Sequence, residues 1–195
     1  LCLSVAWQFT VAPPELSALT LALGVAVRRV VANLTPAAIR LKWPNDLVHA
    51  DRKLGGILVE VGGMPSGCRV VAGLGLNVAF PAEALAAVGD SASSATDLRT
   101  ITRGALPSRT ALALGLIDSF AAVFEDYAVS GFSPYREEWR RADCLEGRPI
   151  RVQGPSGSWY GTAAGIDADG ALLVAGADGR RERVLSGDVS VRIDG

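Results

Sequence analysis

Residues 42–60, KWPNDLVHADRKLGGILVE, decide how the rest of the chain is read. Ile39, Leu41 and Trp43 alternate with polar neighbours, as a half-buried strand does, and Pro44-Asn45-Asp46 breaks the run. Leu47 and Val48 resume it, a charged tip follows from His49 to Lys53, and Gly55-Gly56 leads into an apolar strand, Ile57 to Val61. Asp46, Lys53, Gly55 and Gly56 are thereby placed on two adjacent strands and the loops beside them. An anion, a cation and bare backbone within a few residues are what a site joining a carboxylate to a nucleotide needs. A fixed cation lowers the barrier when two anions meet, and glycines let a ligand approach the main chain. The competing reading is a hairpin tip with a solvated lysine, and spacing alone leaves both open.

Upstream, Leu1 to Phe9 reads as a buried strand, and Pro14 suits the first turn of a helix over 15–33. Leu16, Leu19, Leu23, Val27 and Val30 keep helical spacing along it, and Thr35-Pro36 ends it. The apolar segment from Leu16 stops at Arg28-Arg29, short of the roughly 20 residues a membrane span requires. Downstream, Gly62 to Gly67 is a turn signal, and Cys68 to Phe80 reads as a further strand, so the strands are joined as antiparallel hairpins. Residues 82–106 read as loop with short helical pieces. Ser108 caps a helix from Arg109 to about Val129, Gly131 stops it, and Pro134 begins a shorter one. Beyond Gly147 five short strands separated by Gly- and Asp-rich turns indicate a small SH3-like barrel. The expected architecture is α+β: residues 1–146 a mixed or antiparallel sheet flanked by helices, residues 147–195 the barrel.

The 195 residues are 49% hydrophobic and 20% charged, which is the balance of a globular chain. A net charge of −1 with scattered basic residues argues against nucleic acid and anionic membrane partners. Three separated cysteines and a single histidine offer neither a disulfide framework nor a zinc site, and favour a reducing, cytoplasmic setting. The opening Leu-Cys-Leu-Ser-Val lacks a signal peptide's basic region and reads as a chain entered at a strand.

Further motifs carry weaker signals. Asp46 is suited to Mg²⁺, which takes one or two carboxylates with phosphate and water, although Asn and Asp after proline also make ordinary turns. Gly73-Leu74-Gly75-Leu76-Asn77 is not a dinucleotide fingerprint, since Val78 occupies the third glycine position. Its glycines either let a nucleotide lie against the strand or simply belong to a core strand. The Asp167-Ala168-Asp169-Gly170 turn fails as a calcium loop. His49 reads as a surface residue, and Trp43, Trp139 and Trp159 as core.

Together, Lys42 to Asp46, Arg52 to Glu60 and Gly73 to Val78 closely resemble the motifs of biotin protein ligases, in the same order and separation, and the glycine-containing turns around 165–172 resemble that family's C-terminal barrel. The resemblance implies a class II synthetase-like fold and a two-step ligation. Biotin attacks Mg·ATP to give biotinyl-adenylate, and a lysine of a biotin-carrier domain of a carboxylase then takes the biotinyl group. By carry-over, Lys53 and Asp46 would be catalytic. Lys53, Gly55, Gly56 and Leu58 would meet biotin and the adenylate. Asn45, Asp46, Gly75, Leu76 and Asn77 would border the nucleotide, with Asp46 on the metal. The family's arginine- and glycine-rich loop would lie before Leu1, so the chain reads as a catalytic domain without its N-terminal part. A homodimer is left open. The rivals are a lipoate ligase, whose lysine should precede a Ser-Gly-type segment, and a remnant that binds ligand without catalysis.

Overall fold

Alternation along β1 (Cys2–Phe9) puts Leu3, Val5, Trp7 and Phe9 on one face and Cys2, Ser4, Ala6 and Gln8 on the other. The computed structural model, which describes residues 1–63, 66–81, 94–154, 157–177, 179–185 and 190–193, carries this two-faced pattern across an antiparallel five-stranded sheet. The strand order is β1-β5-β4-β3-β2, with β2 at Arg40–Lys42, β3 at Asp46–His49, β4 at Arg52–Gly63 and β5 at Cys68–Leu76. Leu74, Ala72, Val70 and Ile57 turn inward, whereas Leu58 and Gly75 face outward. One face therefore belongs to the core and the other is left open.

Helix α1 (Leu19–Ala32) covers the inner face. Nine of its fourteen residues are buried, so it lies between the sheet and the remaining helices and is not a surface amphipathic helix. Its polar end is Arg28 and Arg29, both paired with Glu138 at 3.2 and 2.7 Å. The expected helical first turn at Pro14 is absent. Glu15 takes a left-handed backbone (φ 59°), a 3-10 turn spans Leu16–Ala18, and regular helix begins only at Leu19. The Glu15 carbonyl accepts both Ala18 N–H and the Tyr127 hydroxyl, at 2.8 and 2.6 Å, which fixes this entry against the next helix.

A short helix, α2 (Leu98–Ile101), follows β5 in the described chain. Helix α3 (Arg109–Ser130) has the expected limits: Ser108 Oγ accepts the Ala111 N–H, and Gly131 ends it with φ 60°. Helix α4 (Ser133–Ala142) carries Pro134 in its first turn. Phe124 of α3 stacks on Trp7 and meets Phe9 edge-on, closing the core over β1.

Two expectations about the central hairpin are corrected. The turn is only Ala50-Asp51, both with positive φ (49° and 58°), so Arg52 and Lys53 already belong to β4 and the two glycines lie inside a strand of 12 residues. Strand β5 ends at Leu76 rather than running to Phe80, because the Asn77 and Val78 carbonyls accept the N–H groups of Leu98 and Arg99 at the start of α2. The expected glycine turn from Gly62 to Gly67 and the loop over 82–106 fall partly outside the described residues.

The C-terminal unit is a second antiparallel sheet, ordered β10-β6-β7-β8-β9, with β6 at Pro149–Gly154, β7 at Gly157–Ile166, β8 at Leu172–Ala175, β9 at Arg181–Val184 and β10 at Ser190–Ile193. Its turn at Asp167 to Gly170 docks onto the 3-10 turn at Ala18 and the first turn of α1 at Leu21. Gly170 has φ 79°, and a Cβ there would lie 2.7 Å from Ala18 Cβ. The Gly170 carbonyl accepts the buried Trp43 indole N–H at 3.0 Å. The first and second units are thus fastened through a residue of the central motif. Among the described residues no helix is long and apolar enough to cross a membrane.

Candidate functional site

A regular strand would point Lys53 and Gly56 to opposite faces. In β4 they share one, because the pairing with β3 slips: Leu47 faces Gly55, Val48 faces Lys53, and Leu54 has no partner between them. This bulge re-aims the lysine onto the open face. Asp46 pairs directly with Gly56, so its carboxylate emerges on that face too. Lys53 Nζ lies 2.6 Å from Asp46 Oδ1. Asp46 Oδ1 is itself covered and makes no aligned hydrogen bond, so the contact is an ion pair. Asp46 is 20% exposed and Lys53 52%, leaving the ammonium accessible to a ligand.

The glycines explain how the pair fits. A Cβ on Gly56 would stand 3.1 Å from Asp46 Oδ1 and 3.3 Å from Lys53 Nζ, and one on Gly55 would stand 2.6 Å from the Gly75 carbonyl. Gly75 faces open space. Across the sheet, Cys2, Gly75, Gly56 and Asp46 form one row and Ser4, Gly73 and Leu58 the next. The result is a shallow cleft of about 460 Å³ whose floor is mostly main chain, with Leu58 on one side and Lys53 at its end.

A second recess of about 390 Å³ begins at the same lysine and runs towards the C-terminal sheet. Lys42, Lys53 and Arg192 supply three cations to it, Asp46 and Asp51 two carboxylates. Cys144 also lines it, but burial, with the adjacent Asp143 carboxyl, pushes its thiol up to about 11. A neutral buried thiol is a poor nucleophile, so the recess has the makings of an anion pocket rather than of covalent catalysis. No group of three metal-ligating side chains occurs among the described residues. The carboxylates available to a cation here are those of Asp46 and Asp51.

The structure brings Asn45, Asp46, Lys53, Gly56, Leu58 and Gly75 to the cleft or its rim. Asn45 braces it: its Nδ2 donates to the Ile57 carbonyl at 3.0 Å and its own carbonyl accepts the Ile57 N–H at 2.9 Å. Gly55 and Leu76 are placed differently. Both are buried and paired with each other across β4 and β5, so the Leu76 side chain belongs to the core. Asn77 stands beside Lys53 and spends its side-chain donor on the Lys53 and Thr96 carbonyls, at 3.2 and 3.1 Å.

Sequence reading missed Arg192, which arrives from more than a hundred residues away, and Asp97. The latter is 5% exposed and accepts the Phe80 and Thr100 N–H groups at 2.6 and 2.8 Å. Desolvation raises the Asp97 pKa, but these hydrogen bonds outweigh it and hold the carboxyl below its ordinary value. Asp before a short apolar helical run is an N-cap signal, and it was available in the sequence.

Two family models match. Residues 1–77 match the biotin/lipoate A/B protein ligase family, and residues 147–192 the biotin protein ligase C terminal domain. The bifunctional ligase/repressor BirA of Escherichia coli strain K12 is 32% identical over 193 residues, 98% of this chain and 58% of that protein. The chain belongs to the biotin protein ligase family. Another biotin protein ligase relative, the biotin–[acetyl-CoA-carboxylase] ligase of Mycobacterium tuberculosis, is 35% identical over 175 residues, 88% of this chain and 61% of that one. The apo structure of biotin protein ligase from Aquifex aeolicus superposes with a TM-score of 0.78 at 25% identity, covering 99% of this chain and 83% of that one. A structure of the same Aquifex protein with biotin and ATP has a TM-score of 0.79 at 23% identity, a likeness of fold. The chain thus spans less than two thirds of the length of the first of these relatives. The biotin/lipoate ligase match contains the whole Lys53–Asp46 cleft and ends at Asn77.

Proposed function

We propose that this chain forms the ligase body of an enzyme that attaches biotin to a lysine of a biotin-carrier domain by way of biotinyl-adenylate. The observation that carries the reading is that Lys53 is shared by two cavities of different chemistry: a glycine-floored cleft on one side and a recess with two further cations on the other. A carboxylic acid on an apolar body suits the first, and a triphosphate suits the second.

In the first step a carboxylate oxygen of biotin forms a bond to the α-phosphorus of ATP, and the bond from that phosphorus to the β-bridging oxygen breaks, releasing pyrophosphate. The obstacle is repulsion between two anions, which at 4 Å and an intermediate dielectric amounts to about 4 kcal/mol. The Lys53 ammonium at the junction offsets it. Asp46 holds that ammonium in place before substrate enters. Lys42 and Arg192 would receive the β- and γ-phosphates and then the departing pyrophosphate. Magnesium would arrive with the triphosphate and neutralise its charge; Asp46 is the carboxylate placed to hold it, and a single protein carboxylate is within what that ion takes.

In the second step the ε-amine of the carrier lysine attacks the acyl carbon, AMP departs with the bonding pair, and the amine's surplus proton passes to solvent. No nucleophile of the chain is required, only orientation and charge stabilisation. Gly56, Gly73 and Gly75 keep the cleft floor flat enough for the acid to lie on it, with Leu58 against its apolar part. Residues 1–146 would carry the chemistry, and residues 147–195 would complete the phosphate recess through Arg192. A partner carboxylase carrier domain and three unpaired cysteines fit a cytoplasmic enzyme.

The test is transfer. The protein with biotin, Mg·ATP and a carrier domain should add one biotin to one carrier lysine, read by mass. Octanoate and lipoate in competition should be transferred poorly. Absence of labelling on a carrier that another ligase does label would overturn the proposal.

A further inference from the structure

A pocket for a triphosphate is weakened by any bare carboxylate in its wall, yet Asp46 and Asp51 both line the recess beside Lys53. Asp46 is answered by Lys53 at 2.6 Å. Asp51 is answered from outside. It sits at the β3–β4 turn, and its Oδ1 lies 2.8 Å from Nη1 of Arg148, a residue of the second unit. Arg148 lines a separate cavity of about 520 Å³ rather than the recess. Val48, Asp51 and Cys144 line both spaces and so form the partition between them. The carboxylate thus borders the recess while its cation stands behind the wall.

The other charges of the adjoining cavity are engaged elsewhere. The Arg40 guanidinium donates to the Ala142 and Asp143 carbonyls, and Glu146 lies 3.9 Å from Arg140. Arg148 is held at its main chain: its N–H donates to the Leu145 carbonyl at 2.8 Å and its own carbonyl accepts the Ala163 N–H at 3.0 Å. Its side chain is 38% exposed and that of Asp51 62%, so the pair adds little to stability. Its consequence is for the field of the recess. Lys42, Lys53 and Arg192 against Asp46 and Asp51 leave one surplus positive charge, and neutralising Asp51 from behind leaves two.

We infer that Arg148 is a positioning residue: it draws the Asp51 carboxylate to the partition and neutralises it, so that the recess admits a polyphosphate without Arg148 touching it. This role rests on the reading of the recess as the triphosphate site.

Calorimetric titration with inorganic tripolyphosphate, without magnesium, tests it apart from catalysis. Arg148→Ala should weaken binding by roughly 3–10-fold at low ionic strength, and the loss should shrink as salt is raised. Asp51→Asn should tighten binding by a similar factor; asparagine suits the left-handed backbone there, φ 58°. The double variant should return to within about twofold of the unsubstituted protein, because the two residues act as one unit. Arg148→Lys should keep most of the affinity, and a melting curve on each variant should change little. If both single variants weaken binding, the pair only ties the two units together and the inference falls. A loss from Arg148→Ala that persists beside Asp51→Asn would mean that Arg148 meets phosphate itself, which also overturns it. So would weaker binding of Mg·ATP by Asp51→Asn, the mark of a metal ligand, or no tripolyphosphate binding by the unsubstituted protein. If the predicted pattern holds while biotin-dependent exchange is absent, the ligase reading fails and the role of Arg148 stands.

Discussion

Lys53 reaches Asp46 across 2.6 Å although the two are not partners in the β3–β4 ladder: Asp46 faces Gly56 and Lys53 faces Val48. The unpaired Leu54 between Lys53 and Gly55 makes the contact possible, and the missing side chain of Gly56 leaves room for it. Charge and clearance at this site are thus set by one bulge and one glycine.

Gly56→Ala tests the clearance. Its Cβ would stand 3.1 Å from Asp46 Oδ1 and 3.3 Å from Lys53 Nζ, tighter than either group tolerates without moving. The pair should open, and displacing a charge by part of an ångström is expected to lower adenylation by roughly 10²-fold. Thermal melting should change little, because the strand φ suits alanine. Pyrophosphate exchange and a melting curve on the same variant separate these effects.

Gly170→Ala tests the junction between the two sheets. The substitution meets Ala18 Cβ at 2.7 Å and Leu21 Cδ1 at 3.0 Å on a backbone with φ 79°. A destabilisation of about 1–3 kcal/mol is expected, visible as a lowered Tm. Trp43 fluorescence should report the loosening, since its indole N–H is bonded to the Gly170 carbonyl.

Stability should carry a pH signature from two buried carboxyls of opposite sign. Burial pushes Asp143 up to about 6, above its ordinary value of 3.8. The folded form then binds more protons than the unfolded form between these values, so this group's contribution falls as pH rises from about 4 to 6. The effect is on the order of 3 kcal/mol, and Asp143→Asn should remove that slope in denaturant titrations. Asp97 acts the other way. Its folded pKa lies below 3.8, so it stabilises at neutral pH and its contribution is lost as pH falls through the folded value. Asp97→Asn should flatten the acid limb.

Much of this was legible in the sequence wherever a local signal decides the outcome. Ser108 and Gly131 bound α3 as their cap chemistry requires, whereas Leu1 to Phe9, read as a buried strand, buries only Phe9 and leaves one face open. Lys53, Asp46 and the glycines stood out as charge beside bare backbone. The bulge did not, since strand periodicity assigns Lys53 and Gly56 to opposite faces and only the pairing with β3 reverses this. Leu76 looked like part of a glycine-rich ligand strand, yet its side chain fills the core opposite Gly55. Arg192 is one of many scattered arginines until the second sheet docks through Gly170 and brings it to the recess. These residues depend on tertiary placement, for which one chain offers no local mark.

The most direct measurement is biotin-dependent ATP–pyrophosphate exchange by the protein and by its Lys53→Ala variant. Exchange should require biotin and fall by roughly 10²–10³-fold or more without the ammonium, as removal of a group that stabilises developing charge does. Exchange that proceeds without biotin, or that persists at a near-normal rate in the variant, would contradict the proposed adenylation.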